Sequence, residues 1–201
     1  MPAMAKRAFD LVCAVLGLVL LAPLLLGIAL WIKLDSRGPV FFRQQRVGRR
    51  SVPFRIHKFR TMVADAPALG APITVGADPR ITRVGRFLRR AKLDELPQLI
   101  DVLVGTMSLV GPRPELPRYV AMYPADLRDK VLSVRPGITD PASIEYRDEA
   151  ALLARAADPE RAYVEQVMPA KLRCSVRYVE QRSMRGDMRL IGATLSALWA
   201  R

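Results

Sequence analysis

Two adjacent carboxylates, Asp94 and Glu95, lie in "AKLDELPQLIDVL" at residues 91–103, just after an arginine-rich stretch and two residues before Pro97. The window by itself reads as a helix start. Asp94 can cap it, Glu95 favours a first turn, and Pro97 is tolerated where the early N–H groups lack intrahelical partners. Leu93, Leu96, Ile100 and Leu103 follow as a helical apolar stripe. A second feature is Arg113, held between Pro112 and Pro114 in "GPRP". Two prolines restrict the backbone, and a guanidinium presented that way suits bidentate recognition of phosphate. His57 is the one histidine, so a Ser-His-Asp or Cys-His mechanism would have to use it. No nucleophile-elbow motif accompanies it, and the structural reading is preferred. Cys13 and Cys174 are far apart and fit neither a disulfide framework nor a zinc spacing, which points to a reducing compartment.

The elements that must position these residues differ sharply in composition. The 201 residues carry a formal charge of +13, with a pI near 10.6. Such a surface attracts nucleic acid, anionic lipid or phosphorylated small molecules. Residues 33–92 hold fifteen Lys and Arg against three acids. Upstream, residues 11–32 contain no charge, a run of 22 residues, long enough for a bilayer core of about 30 Å. No small-residue cleavage site follows, so a signal peptide is not expected. Pro23 falls near the middle. The run alone favours a kinked spanning helix over a re-entrant helix–break–helix, each half of which would reach about 16 Å. The flanks weigh the other way. Lys6 and Arg7 precede the run, and Lys33, Arg37, Arg43, Arg46, Arg49 and Arg50 follow it, so the positive-inside rule suits both ends on the cytoplasmic side.

Residues 35–201 read as one cytoplasmic domain behind a membrane segment at 1–34. The expected class is α+β and mainly helical. A small β-hairpin is predicted, with strands at 40–46 and 52–58 around "VGRRS". Residues 63–80 read as a loop, 80–91 as a basic helix, and 105–117 as at least partly loop. Further helices are predicted over 117–130, 148–156 and 159–180. The C-terminal "MRLIGATLSALWAR" is either a core helix or an amphipathic interfacial one.

Four separated motifs then converge: "KFRTM" at 58–62, "LDELPQL" at 93–99, "MSLVGPRP" at 107–114 and "RPGIT" at 135–139. In this order and spacing the chain resembles the bacterial sugar transferases, the small monotopic phosphoglycosyl transferases that begin cell-envelope glycan assembly. The likeness runs from the membrane segment to about residue 140. Three positions depart from the family pattern: Ala22, where a polar residue is common, Thr106, where an acid is common, and Asp140, where glycine is common.

The resemblance implies transfer of a phosphosugar from a UDP-sugar to polyprenol phosphate, giving UMP. It also implies a membrane helix broken at Pro23, with both ends returning to the cytoplasmic face of the bacterial inner membrane. Asp94 is implied as a nucleophile forming a covalent aspartyl phosphosugar, with Glu95 beside it. A carboxylate nucleophile splits one difficult displacement into two easier ones. Two acids near a diphosphate need a cation, and Mg2+ takes one or two carboxylates plus phosphate oxygens, so Asp94 and Glu95 are the metal candidates. Arg113 leads the phosphate-binding set, with Lys58, Arg60, Arg89 and Arg135 as weaker members. Glu145, Arg147, Asp148 and Glu149 are candidates for sugar or nucleotide choice, although an ordinary charged helix start explains them as well. Anionic headgroups account for part of the basic surplus. Two other readings stay open: direct transfer with Asp94 only a metal ligand, and a membrane-tethered basic module that binds nucleic acid without catalysis. The second lacks any recognised nucleic-acid signature, and no nucleic-acid partner is expected.

Overall fold

Residues Ala3–Asp35 form one helix, α1, with Pro23 inside it. The computed structural model describes residues 3–66, 69, 78–146 and 148–199. The helix–break–helix expected at Pro23 is not seen: the helix runs through this residue without interruption. Proline removes one N–H donor, and its neighbours keep the helix going. One stripe of α1, at Asp10, Ala14, Gly17, Leu21, Leu25, Ile28 and Ile32, is buried or half-buried against the rest of the chain. Val12, Val15, Leu16, Val19, Leu20, Leu26 and Leu30 are exposed. The spacing of three and four residues is that of one helix face.

Both ends of α1 are bonded to the same body. At the N-terminal end, Lys6 pairs with Asp187 at 2.7 Å, and Asp10 accepts from the Ser108 hydroxyl at 2.8 Å and the Leu109 N–H at 3.2 Å. Arg7 donates to the carbonyls of Val102 (2.6 Å) and Leu103 (3.1 Å). At the other end, Asp35 accepts from the Val84 N–H at 3.1 Å. Arg60, only 4% exposed, donates to the carbonyls of Ser36 (2.6 Å) and Arg37 (2.7 Å). The carbonyls at a helix end need such donors, and Arg60 supplies them.

The predicted hairpin is present. Strands β1 (Phe41–Val47) and β2 (Pro53–Phe59) pair antiparallel from Phe41↔Phe59 to Val47↔Pro53. Arg50 and Ser51 turn the chain with positive φ. The basic helix is α2, Arg83–Arg90, capped by the Thr82 hydroxyl, which accepts from the Gly85 N–H at 2.9 Å. Ile28 and Ile32 of α1, Phe59 of β2, and Val84 and Leu88 of α2 form one buried cluster. Each such side chain contributes about 1.5–3 kcal/mol when fully buried.

After a 3₁₀ turn at Leu93–Glu95 comes α3, Gln98–Val104, which packs against α1. The stretch 105–117 is less irregular than expected. Ser108–Val110 is a strand, β3, pairing parallel with β4, Gly137–Thr139. "GPRP" and "RPGIT" are thereby zipped together. Ser108 N–H donates to the Pro136 carbonyl at 2.8 Å, Gly137 N–H to Pro112 at 3.0 Å, and Gly111 N–H to Thr139 at 3.0 Å. A Cβ on Gly137 would lie 2.1 Å from the Gly111 nitrogen, so the two glycines are needed for the backbones to touch.

The expected helix 117–130 is split into α4 (Pro117–Val120) and α5 (Ala125–Val131), because Pro124 cannot continue a helix. A short helix, α6 (Pro141–Glu145), was not anticipated, and α7 is confined to Glu149–Leu153. Residues 159–181 form α8 (Pro159–Ala162), a π turn and α9 (Met168–Gln181), followed by α10, Met184–Trp199. Most of the predicted loop at 63–80, and Arg147, lie outside the described residues.

The glycine contact predicts a specific loss. Gly137→Ala should lower unfolding stability by about 1–3 kcal/mol, the range for overpacking a tight site. Gly192→Ala in α10, where a Cβ meets nothing within 4 Å, should be neutral or slightly stabilising. Thermal unfolding of the two variants in detergent checks this, and equal midpoints would contradict the zipped arrangement.

Candidate active site

Asp94 and Glu95 lie in the 3₁₀ turn between α2 and α3. Lys92, just before it, adopts left-handed backbone angles, which a lysine rarely takes and which bring the turn sharply off α2. Asp94 does not cap a helix. α3 begins at Gln98, and the residue preceding it is Pro97, which has no side-chain cap to offer. The ordinary explanation for this acid, as the opening of a helix, therefore does not hold.

The two acids are treated in opposite ways. Glu95 accepts from the Lys58 ammonium at 2.7 Å through Oε1 and from Arg113 through both oxygens, at 3.1 Å to Oε2 and by a shorter contact to Oε1. Burial would raise this carboxyl, but Arg113 and then Lys58 overcome it and hold it well below the usual carboxylate range. Arg113 is pushed up in return by Glu95. Lys58 is lowered by burial despite its partner. The Asp94 carboxylate accepts no hydrogen bond among the described residues. Burial, and then the charge of Glu95, push its carboxyl up, against the pull of Lys58, Arg89 and Lys92. The result is a half-buried acid left unpaired beside a neutralised one.

Several elements hold this geometry. Lys58 extends from β2 and Arg113 from the "GPRP" loop after β3. Asp140, 1% exposed, accepts from the Arg113 N–H at 3.3 Å while capping α6 through the Ser143 N–H at 2.7 Å. A glycine here could do neither. Arg89 donates through Nε to the Thr61 hydroxyl at 2.9 Å and lies close enough for its charge to act on Asp94. The structure thus brings Asp94, Glu95, Lys58, Arg89 and Arg113 together. It does not bring Arg60, which caps α1. Arg135 also stands apart: its Nε donates to the Gly105 carbonyl at 2.8 Å, at the opposite end of α3 from the acids. Their sequence context suggests phosphate ligands, because a cationic residue in a motif carries no sign of which anion or carbonyl it meets.

His57 is bonded to a buried acid. Its backbone N–H and Nδ1 both meet the buried Asp101 carboxylate, at 2.8 and 2.7 Å. Thr106 donates to the Asp101 carbonyl at 3.2 Å. Sequence reasoning missed Arg46, Glu115, Tyr163 and Lys171. Arg46 donates to Glu115 at 3.3 Å, Tyr163 donates to the other Glu115 oxygen, and Lys171 donates to Glu149 at 2.7 Å. The one available signal was Glu115, which directly follows "GPRP".

A metal ion would find limited protein ligation here. Both Glu95 oxygens are committed to cations, and no group of three His, Cys, Asp or Glu suited to an ion occurs among the described residues. Asp94 remains as a single free carboxylate. That fits Mg2+, which keeps its waters and takes phosphate oxygens, better than an ion needing an all-protein cage. The expected pairing of Glu95 with the metal does not fit the bonds that it makes.

Comparison with known proteins agrees with these motifs. The family profile described as bacterial sugar transferase matches residues 1–201. The UDP-glucose:undecaprenyl-phosphate glucose-1-phosphate transferase of Caulobacter vibrioides is 38% identical over 206 residues, covering 96% of this chain and 69% of that protein. The protein of the same description from Escherichia coli K12 is 38% identical over 193 residues, covering 94% of this chain and 39% of that protein. An undecaprenyl-phosphate glucose phosphotransferase of Komagataeibacter xylinus is 51% identical over 148 residues, 69% of this chain and 27% of that protein. The chain thus spans well under half the length of the last two.

The opposed acids predict a pH signature. Glu95→Gln should lower stability at pH 7 by about 2–3 kcal/mol. That is below the 3–5 kcal/mol typical of broken buried pairs, because the Arg113 side chain is 35% exposed. A carboxylate lowered on folding stabilises fully above its unfolded pKa, near 4.5, and stops doing so as pH falls through its lower folded value. The gap in unfolding temperature between parent and variant should therefore hold from pH 7 to 5 and close in more acidic buffer. A gap constant down to pH 3 would show that Glu95 is not the anion holding the two cations.

Proposed function

The chain belongs to the bacterial sugar transferase family, and on that footing we propose that it moves a sugar phosphate from a UDP-sugar to polyprenol phosphate. The products are UMP and polyprenyl diphosphate-sugar. The observation that carries this reading is the unpaired, half-buried Asp94 carboxylate beside a Glu95 already neutralised by Lys58 and Arg113.

In the first half-reaction an Asp94 oxygen attacks the sugar-bearing phosphorus, and the bond from that phosphorus to UMP breaks. In the second, an oxygen of polyprenol phosphate attacks the same phosphorus and the bond to Asp94 breaks, which restores the carboxylate. Glu95 keeps Arg113 and Lys58 oriented, so that their remaining N–H groups face the charge that develops during transfer. Arg89 adds a third cation on the Asp94 side. Mg2+, held by Asp94 and by diphosphate oxygens, would lower the repulsion between nucleophile and donor.

For the membrane, α1 supplies the one strongly apolar helix of membrane length among the described residues, and little of it is buried. We place it as an element embedded from one side, with both its ends and the rest of the chain on the cytoplasmic face of the inner membrane. Support comes from its two ends, both tied to one body through Lys6, Arg7 and Asp10 on one side and Asp35 on the other. A spanning helix would separate such ends by about 30 Å of hydrocarbon. Trp31 and Phe87, exposed with ring centroids 5.4 Å apart, suit the headgroup level next to anionic lipid. A nucleic-acid module finds no support, since Arg7, Arg46, Arg49, Arg60 and Arg135 are turned onto carbonyls and carboxylates.

Two measurements test this reading. Detergent-solubilised protein given a UDP-sugar and Mg2+ without lipid acceptor should release up to one equivalent of UMP and retain a phosphosugar on the peptide carrying Asp94. Asp94→Asn should form no adduct and lose at least about a thousandfold in turnover, as expected when a covalent nucleophile is removed. An adduct on Glu95, or near-parental turnover of Asp94→Asn, would refute the covalent route. For topology, single cysteines at Met4 and Arg37, in a background lacking Cys13 and Cys174, should both react in inverted vesicles and neither in intact spheroplasts. Labelling of the Met4 position from outside alone would establish a span.

A further inference from the structure

Arg113 is presented by a loop whose own backbone has little to bond with. Within 112–114 the one backbone N–H belongs to Arg113, because proline has none. Separate parts of the chain hold this stretch. The Gly137 N–H of β4 donates to the Pro112 carbonyl at 3.0 Å, and Asp140 accepts from the Arg113 N–H at 3.3 Å. Arg46 of β1 donates through Nη1 to the Pro114 carbonyl at 3.1 Å. Resting on the function proposed above, we propose that Arg46 is a positioning residue for the transfer, fixing the direction in which Arg113 reaches Glu95 and the phosphate without itself touching substrate.

Three observations converge. The first is where the Arg46 guanidinium is committed. Nη1 also donates to Glu115 Oε1 at 3.3 Å, and Nη2 donates to the Gln44 side chain at 2.7 Å. Its Nε is buried with no partner among the described residues. An orphaned donor costs stability, so the placement of this side chain is set by what its two Nη groups hold. The second is the sequence of bonds along the loop. Arg113 bonds Glu95, whereas Glu115 bonds Arg46 and the Tyr163 hydroxyl. Pro114 lies between them with its carbonyl on Arg46. Glu115 also accepts from the Leu116 N–H at 2.8 Å, so Arg46 meets a carboxylate that is already fixed.

The third is charge. Arg113 and Glu95 are near enough for their charges to act on Arg46, and Arg46 in turn acts on Lys58. A guanidinium so close would repel Arg113, and Glu115 offsets it. A second ion pair, Arg46 with Glu115, thus stands beside the pair of Arg113 with Glu95. The backbone separates this role from one of holding the fold together. The Val47 N–H donates to the Glu115 carbonyl at 3.0 Å, so a main-chain bond between β1 and the loop does not depend on the Arg46 side chain.

A double-mutant cycle tests the role. Parent, Arg46→Gln, Arg113→Gln and the double variant are assayed in detergent with polyprenol phosphate and Mg2+. The donor is whichever of UDP-glucose, UDP-galactose and UDP-N-acetylgalactosamine the parent turns over fastest. Arg46→Gln should lower kcat by at least about tenfold, since a small misplacement of a reacting geometry costs up to about a hundredfold. The donor KM should stay within about threefold of the parent, because Arg113 acts on charge that develops during transfer. In the Arg113→Gln background the same change should cost less than about threefold, because the group it acts through is gone. If Arg46→Gln does not fold, Arg46→Lys, which keeps the charge but not the planar fork, goes through the same cycle with the same dependence on Arg113 expected. Equal falls in both backgrounds would overturn the role of Arg46 alone, as would a folded Arg46→Gln with parental kcat. A raised KM with kcat unchanged would also overturn it, since Arg46 would then serve binding only. A parent that releases UMP from none of the donors would overturn the proposed function, and this role would fall with it.

Discussion

The three-way contact of Glu95 with Lys58 and Arg113 is the interaction on which the site depends. Three segments that are far apart in the chain meet at one carboxylate. Without that shared anion, two partly buried cations would face each other. With it, the neighbouring Asp94 carries the local negative charge alone, in surroundings that disfavour the charge and leave it without a partner. Reactivity at Asp94 and stability at Glu95 are two consequences of one asymmetry. The acids are adjacent in sequence, but the fold satisfies only one of them.

That contact is only as well placed as the loop carrying Arg113. The loop is fixed by backbone, not by side-chain packing alone. Gly111 and Gly137 let the strands after α3 and after α5 meet at a distance no other residue type allows, and Asp140 then ties the Arg113 N–H to the start of α6. The departure from the common glycine at position 140 therefore has a visible role in this chain. The same small sheet reaches α1, since Ser108 and Leu109 bond to Asp10. A continuous set of hydrogen bonds thus joins the apolar helix, the arginine loop and the acid pair.

Much of this was legible in advance. The hairpin, the basic helix and the long C-terminal helices follow from alternation, cap residues and periodicity over short windows. The acid pair and Arg113 were legible as motifs. Other features were not. The buried stripe of α1 is invisible in a segment where nearly every residue is apolar, because no polar face marks the other side. β3 and β4 are three residues each, paired across more than twenty-five residues of chain, and their glycines and prolines read locally as turns. Arg60 and Arg135 looked like phosphate ligands because their charge is local information, while the carbonyls they meet are not.

The sequence by itself determined the membrane-length apolar segment, the surplus of positive charge, the order of the motifs and the chemical types available at the site. These depend on composition and short-range spacing, which survive without a fold. Only the tertiary structure decided which cations reach the acids, which of the two acids is neutralised, and that both ends of α1 are bonded to the rest of the chain. Each of these is a distance between residues remote along the chain. A charge or hydroxyl acquires its role from the partner that packing brings within about 3 Å, and local sequence does not carry that partner's identity.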